Sequence, residues 1–339
     1  MDNLTTEPRA AREIVKMMGY KSLFEYIPEM EISVPDTDRK NSLDKIAYYY
    51  RSEEIVLSDL YIGYAISLYR YTIPKVVADT MQALGNLWPQ KNVPKYISRE
   101  DLLSRIKKMC SMGMLRRFVY QHGGNNIVLY SVTAEFAKII YQALKLNTDA
   151  RYEKDMIPPV EIVEKAAASL ISSELMKSPN LSKFNFMPEY RDDAGRITFN
   201  ARIHHILNGE EFVTLVEPLF TRVDLKRFTE LEWEKYLKRK IKALKGYMEF
   251  LSCEKKKKVQ LIIVCEDTED FKKAATLVCT YFQEYMLPQI YFSGEGALKS
   301  GSNNINNSVV WITSVRQDET HQGMKIPGSV SSQFAYEFF

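Results

Sequence analysis

The sequence predicts an α+β protein in two parts, a helical N-terminal half followed by an α/β C-terminal domain, and three observations carry that prediction. Apolar residues recur three and four apart through 56–71 (VLSDLYIGYAISLYRY) and 74–87 (PKVVADTMQALGNL), the spacing of amphipathic helices. Residues 183–190, 197–207 and 211–220 read instead as strands, and the Asp193-Ala194-Gly195 and Asn208-Gly209 turns between them are hairpin signals. Only 14 Gly and 13 Pro occur in 339 residues, which excludes collagen-like, low-complexity and many-turned all-β architectures.

With 45% hydrophobic and 26% charged residues the chain can bury a sizeable core, and its length suggests two domains. Four scattered cysteines, Cys110, Cys253, Cys265 and Cys279, form no CxxC pair and fit a reducing compartment. The N-terminus has no apolar signal-peptide core, and nowhere do about 18 apolar residues run together. A soluble cytoplasmic protein is expected, with no membrane partner.

The elements follow in order. Residues 8–20 suggest a short helix, and 33–42 is a polar break. After the two helices of 56–87, Ser98-Arg99-Glu100-Asp101 has the spacing of a capped helix start, with Ile97 and Leu102 placed as a hydrophobic staple. Leu102, Leu103, Ile106, Met109 and Cys110 line one face, and Gly113 is the stop that glycine adopts cheaply. Two strand-like runs, 114–121 and 126–133, then flank His122-Gly123-Gly124-Asn125, and Thr133 can cap a helix over 134–144. The aperiodic NTDARYEKD stretch reads as a linker. Pro158 and Pro159 open a helix to about Met176. The three strands are expected to form an antiparallel meander. A helix over 228–251, a buried strand over 259–267, a helix over 270–285 and strands over 288–293 and 308–314 complete the domain, and the tail beyond Val315 is expected to be loosely held.

Helix, helix, capped helix, Gly, Leu-Arg-Arg and hairpin: over residues 56–145 this order resembles the winged helix-turn-helix domain. The resemblance implies a third helix that enters the DNA major groove and a hairpin that touches phosphate. Charge agrees with it. Residues 89–120 hold Lys91, Lys95, Arg99, Arg105, Lys107, Lys108, Arg116 and Arg117 against Glu100 and Asp101, a net of +6. Arg105 and Lys108, three apart, share a helical face with Arg99 nearby. Arg99, Arg105 and Lys108 are expected at the groove, while Lys95, Arg116 and Arg117 hold phosphates, and Lys107 is a further DNA-binding candidate with no assigned role.

The second half, helix, meander, long helix, strand, resembles the αβββαβ core of the restriction-endonuclease-like fold. An active member needs an acid in the second strand and a (D/E)-x-K in the third, so that carboxylates hold a metal. Here the second strand carries Asn200, and Glu217-Pro218-Leu219 has leucine where the lysine belongs. Pro218 also suggests an edge or bulged strand. Asp192 and Asp193 read as turn residues more readily than as metal ligands beside Glu217. Glu266, Asp267 and Asp270 follow a buried strand without any phosphate loop. No catalytic residue, metal or cofactor is therefore expected.

On the long helix, Leu237, Ile241, Leu244, Met248 and Leu251 form a stripe to be buried, and Lys235, Lys238, Arg239, Lys242 and Lys245 form a basic face. Residues 226–258 carry a net +7, so the chain's overall +3 leaves −10 for everything outside the two basic stretches. A solvated basic face is the plain reading, and a second DNA-backbone contact the sharper one. The four histidines hold one adjacent pair, His204-His205, whose side chains point to opposite faces of a strand. Neither Walker A, G-x-S-x-G nor G-x-G-x-x-G occurs.

The layout is similar to the replication-relaxation family of plasmids and integrative elements. The motifs that carry the similarity are LLSRIKKMCSMGMLRRF, LYSVT, FVTLVEPLF and VQLIIVCEDTEDFKKAATLV, within about residues 56–315. The resemblance implies a non-enzymatic double-stranded DNA binder that assists replication, mobilisation or regulation of a mobile element. Replication or relaxosome proteins and a second copy of the chain are further candidate partners. The expected division is a helical extension (1–55), the winged-helix domain (56–145), a linker (146–157), an inactive nuclease-like domain (158–315) and a tail (316–339). A metal-dependent nuclease and a winged-helix protein scaffold are the alternatives.

Overall fold

A computed structural model describes residues 32–33, 41–94, 97–122, 125–146, 159–220, 229–255, 257–294, 309–317 and 325–331. The helix expected over 8–20, nearly all of the 33–42 break, Lys95 and the linker residues 147–157 lie outside the described residues. Helices and strands from both halves make this a mixed α+β chain. The described residues fall into two compact units, one ending at Lys177 and the other beginning at Ser178.

In the first unit Ser42 caps α1 (Leu43–Arg51), accepting from the Lys45 amide at 3.3 Å. Helix α2 (Leu57–Tyr69) is buried at ten of its thirteen positions, so more than one face is covered. At Gly63 an added Cβ would lie 2.5 Å from Phe136 and 2.7 Å from Ile140, so glycine there lets α2 lie close on α5 (Ala134–Leu144). Between α2 and α3 (Pro74–Leu87), Thr72 exchanges two backbone hydrogen bonds with Tyr130, at 3.2 and 2.9 Å.

Helix α4 (Arg99–Ser111) begins as the sequence predicts. The Asp101 amide donates to Ser98 Oγ at 3.0 Å, and the helix stops at Gly113, whose φ of +70° suits glycine. Leu102, Ile106, Met109 and Cys110 are its buried face. The hairpin of β2 (Leu115–His122) and β3 (Asn125–Val132) follows in the register Leu115↔Val132 to His122↔Asn125, and β1 (Ile32–Ser33) pairs with β2. Thr133 joins hairpin to helix: its hydroxyl accepts from the Phe136 amide at 3.4 Å and donates to the Met114 carbonyl at 3.0 Å.

One expected boundary moves. Helix α6 (Pro159–Met176), assigned from sequence order to the C-terminal domain, belongs to the first unit. Its end is fixed to α2 and α3 by Lys75–Glu174 at 3.4 Å, Lys177–Asp79 at 3.4 Å and a Tyr69 hydroxyl to Met176 sulfur contact at 3.4 Å. Order along the chain cannot say which neighbour buries a helix, and α6 is buried by the elements before it. The first helix of the expected αβββαβ core is thus not part of the sheet-bearing unit.

The second unit is built on a seven-stranded sheet whose strands lie in the order β12 (Lys325–Ser331), β11 (Val309–Gln317), β10 (Ile290–Ser293), β9 (Lys258–Val264), β8 (Glu210–Pro218), β7 (Ala201–Leu207) and β4 (Leu181–Phe186). Strands β4 (Leu181–Phe186), β7 (Ala201–Leu207) and β8 (Glu210–Pro218) form the antiparallel meander. Helix α7 (Glu230–Glu249) then leads to β9 (Lys258–Val264), parallel to β8, and α8 (Thr268–Tyr281) leads to β10 (Ile290–Ser293), parallel to β9. Positive φ at both Asn208 (+51°) and Gly209 (+81°) makes the predicted two-residue hairpin turn between β7 and β8. The α7 stripe Leu237, Ile241, Leu244, Met248 and Leu251 is buried as predicted, among Val213, Leu215, Leu261 and Ile263 of the sheet.

Four expectations change here. The runs 183–190 and 197–207 each break, at Met187 (φ +53°) and at Phe199-Asn200, and their distal parts pair as a separate ribbon, β5 (Glu189–Asp192) with β6 (Gly195–Thr198). Strand β8 is central rather than at an edge: Pro218 is its last residue, so the missing amide interrupts no ladder, which resumes with Leu219 N–H to Val264 O at 2.9 Å. Helix α8 ends at Tyr281 instead of 285, where the 3-10 turn Glu284–Gln289 takes over. The tail is not wholly loose, because Lys325–Ser331 forms β12 against β11 (Val309–Gln317) at the edge of the sheet, where Pro327 is tolerated.

Candidate nucleic-acid interface

The basic residues of the first unit divide into two groups. Arg99, Lys107 and Lys108 are exposed on α4, and Arg116 and Arg117 are half-buried on β2. Arg105 is not at the surface face expected of it. Its guanidinium turns to α2 and grips Asp59 with two bonds, Nε to Oδ1 at 2.7 Å and Nη2 to Oδ2. Asp59 is 2% exposed and also accepts the Val56 amide at 3.1 Å, so Arg105 neutralises a buried carboxylate. Lys108 does lie on the same side, but that side faces residues 54–59: its ammonium donates to the Glu54 carbonyl at 3.1 Å. Arg99 and Lys107 are left as the outward cations of α4, beside Ser104 and Ser111.

On α7, Lys235 and Arg239 are exposed, and each basic residue has its own surroundings. Lys238 pairs with Glu234 at 2.5 Å and Lys245 with Glu249 at 3.7 Å. Arg239 donates to the Ala194 carbonyl at 2.8 Å, and the Lys242 ammonium sits 5.2 Å from the centre of the Tyr281 ring. Lys235, Lys238, Arg239 and Lys242 line a groove of 540 Å³ whose other wall is Asp192, Asp193 and Ala194 of the β5–β6 turn, with Tyr281 beside it. After the helix, Lys257 and Lys258 pair with Glu211 and Glu210. Sequence reasoning did not single out Tyr281, which no local motif marks.

It also missed Lys240. This lysine is 5% exposed, and its ammonium lies 2.9 Å from Glu217 Oε1 and 2.5 Å from the Pro218 carbonyl. Glu217 Oε2 accepts the Asn200 amide at 2.6 Å. Both Glu217 carboxylate oxygens therefore have partners, and Glu217 is itself 3% exposed. A signal existed: Lys240 stands three after Leu237 and four before Leu244, on the stripe that packs inward.

Three of the remaining acids, Asp192, Asp267 and Asp270, serve local structure. Asp192 Oδ1 accepts the Ala194 amide at 3.0 Å within its turn. Asp267 caps α8 by accepting from the Asp270 amide at 2.9 Å, and Asp270 accepts from the Glu266 amide at 3.2 Å. Among the described residues no group of three or more His, Cys, Asp or Glu is placed to hold a metal ion.

His204 Nδ1 lies 2.6 Å from Glu211 Oε1, and Lys183 and Lys257 pair with the same carboxylate. Burial pushes the His204 pKa down to about 4, against the pull of Glu211. Hydrogen bonds, first from Lys257 and then from Lys183 and His204, hold Glu211 at about 2. Among the described residues no helix is long and apolar enough to cross a membrane.

No family model and no curated protein matches the chain. Among solved structures, the crystal structure of protein VC1899 from Vibrio cholerae is similar over 78% of this chain at 11% identity, with a TM-score of 0.22. The chain spans about half the length of that protein, 55% of which is covered. A likeness at that score carries neither fold nor function across.

Proposed function

We propose that the protein is a non-enzymatic double-stranded DNA binder whose first unit docks as a winged helix-turn-helix domain. The observation that carries the reading is the element order: helix α2, the Thr72 bridge onto β3, helix α3, capped helix α4, the β2–β3 hairpin and helix α5. That order supports α4 as the groove helix and the hairpin as the wing. Arg99 and Lys107 take the groove-facing role, Lys108 lies at its edge, and Arg116 and Arg117 stand at the hairpin base. Arg105 drops out of the DNA-contacting set, which lowers the effective charge of 89–120 from +6 to +5 once Asp59 is counted.

Affinity on this reading comes from phosphate neutralisation, so log K falls with log salt by about 0.9 per phosphate contacted. A mobility-shift titration with a mixed-sequence duplex tests it: retardation at low salt, lost steeply as salt rises, is the expected result. No shift at any salt would leave the scaffold alternative, binding a partner protein without salt dependence. A role in replication, mobilisation or regulation of a mobile element rests on the sequence resemblance alone.

For the second unit, the β4–β7–β8 meander followed by α7 and parallel β9 supports a restriction-endonuclease-like core that has lost its chemistry. The Glu217–Lys240 pair favours that view, since it occupies the one carboxylate at the expected position. Incubation of duplex DNA with magnesium or manganese is expected to leave it intact. Cleavage that disappears in Glu217→Ala would overturn the non-enzymatic reading.

A further inference from the structure

The groove between α7 and the β5–β6 ribbon is a built concavity. Lys235, Lys238, Arg239 and Lys242 stand at i, i+3, i+4 and i+7 and so form one stripe along its helical wall. The facing wall is fixed at two places. At the ribbon's tip the Arg239 guanidinium holds the Ala194 carbonyl at 2.8 Å, next to Gly195, whose φ of +116° favours glycine and whose added Cβ would lie 3.3 Å from Arg239 Nη2. At its base the Tyr190 hydroxyl lies over Gly246, 3.0 Å from where a Cβ would be, and the Tyr190 ring packs 5.3 Å from that of Tyr247.

Three ammonium groups face this fixed wall on favourable terms. Lys235 and Lys242 form no ion pair among the described residues, and the Lys238–Glu234 pair is an exposed i, i+4 contact of the weak kind. Tyr281 adds an aromatic ring beside Lys242. A concavity of 540 Å³ is the size that takes a small ligand.

We propose that this groove binds phosphate groups of a flexible nucleic-acid strand or a free nucleotide, with Lys235, Lys238 and Lys242 on the phosphates and Tyr281 as the ring against which a base stacks. Arg239 positions the wall through Ala194 and does not itself need to touch the ligand. Asp193, exposed on the rim, opposes the anion. This gives the basic α7 face a ligand other than duplex DNA, and it does not rest on the winged-helix reading of the first unit.

Fluorescence anisotropy of the full chain at low salt, with a labelled oligothymidylate as one probe and ATP as competitor, tests the assignment. Lys238→Ala with Lys242→Ala should weaken oligothymidylate binding about tenfold or more and flatten its log–log salt slope by about 1.4, which is about 0.7 for each phosphate no longer neutralised. Asp193→Asn should tighten it several-fold, a gain that a purely structural role would not produce. Displacement by ATP identifies a free-nucleotide site; binding of the strand without displacement identifies a backbone site. Arg99→Ala with Lys107→Ala should weaken the duplex shift and leave this binding unchanged, which separates the two proposals. The assignment fails if neither probe binds, if the folded double lysine variant binds like the parent, if Asp193→Asn changes nothing, or if the Arg99 and Lys107 changes weaken strand binding equally.

Discussion

Arg105 and Lys240 carry the same lesson, that a cation's spacing fixes its helical face but not what that face meets. Arg105 reaches a buried aspartate through a planar two-bonded grip, so its loss strands Asp59 in the interior. Arg105→Ala should destabilise the protein by about 2–4 kcal/mol, read as a lower denaturant midpoint, and Arg105→Lys should recover only part of it. Lys240→Met strands Glu217 in the same way and should cost about 3 kcal/mol or more, whereas the joint change Glu217→Gln with Lys240→Met should cost less than the single one. The folded His204 titrates at about 4, below the ordinary histidine value, so between pH 6.5 and 4 the unfolded chain binds the proton that the folded one refuses. The stability His204 contributes is complete above about pH 6.5 and is lost as pH falls to about 4. Glu211, held at about 2, contributes stability present above its ordinary value near 4.5 and lost as pH falls toward 2. Unfolding midpoints measured from pH 7 to 3 should fall throughout this range, and His204→Asn should flatten the upper part of the curve.

At the scale of elements, what was legible is what local chemistry decides. Ser98, Gly113 and Thr133 mark helix ends because the orphaned amides and the left-handed stop need those residue types, and Asn208-Gly209 marks a turn that needs two positive φ values. The buried stripe of α7 followed from spacing alone. Only the tip of the β5–β6 ribbon was legible, in the Asp193-Ala194-Gly195 turn, because the strand-like runs 183–190 and 197–207 pass through Met187 and Asn200 and nothing local says that the partner changes there. The groove was half legible in the same sense: its basic wall is a helical stripe in the sequence, but its opposite wall depends on where that ribbon folds back. Packing between elements yields its own prediction at Gly63. A methyl there meets the rings and methyls of α5 at under 3 Å, so Gly63→Ala should destabilise by about 1–3 kcal/mol, measured as a lowered thermal midpoint, although alanine favours helix.

For the whole molecule, the division at Lys177 rather than near residue 157 changes how the chain should be cut. Helix α6 covers α3 and holds it through Glu174 and Lys177, so a fragment of residues 29–157 should melt well below one of residues 29–177. The charge distribution belongs to the same scale. A total of +3 comprises two basic stretches of +6 and +7 within a remainder of −10, and each stretch lies on a different unit. Several of those cations serve the fold: Arg105, Lys240, Lys257 and Lys258 all have carboxylate partners. Among the described residues, Arg99 and Lys107 on α4 and the lysine stripe of α7 are outward cations open to a polyanion. Duplex binding by the first unit is therefore tested most directly by titrating a mixed-sequence DNA duplex with the parent chain and with Arg99→Ala plus Lys107→Ala at several salt concentrations. The parent should shift the duplex with a steep log–log salt slope, and the variant should give a weaker shift with a slope lower by about 2. A parent that shifts no duplex at low salt, or a folded variant that binds as tightly and with the same slope, would contradict duplex binding by the first unit.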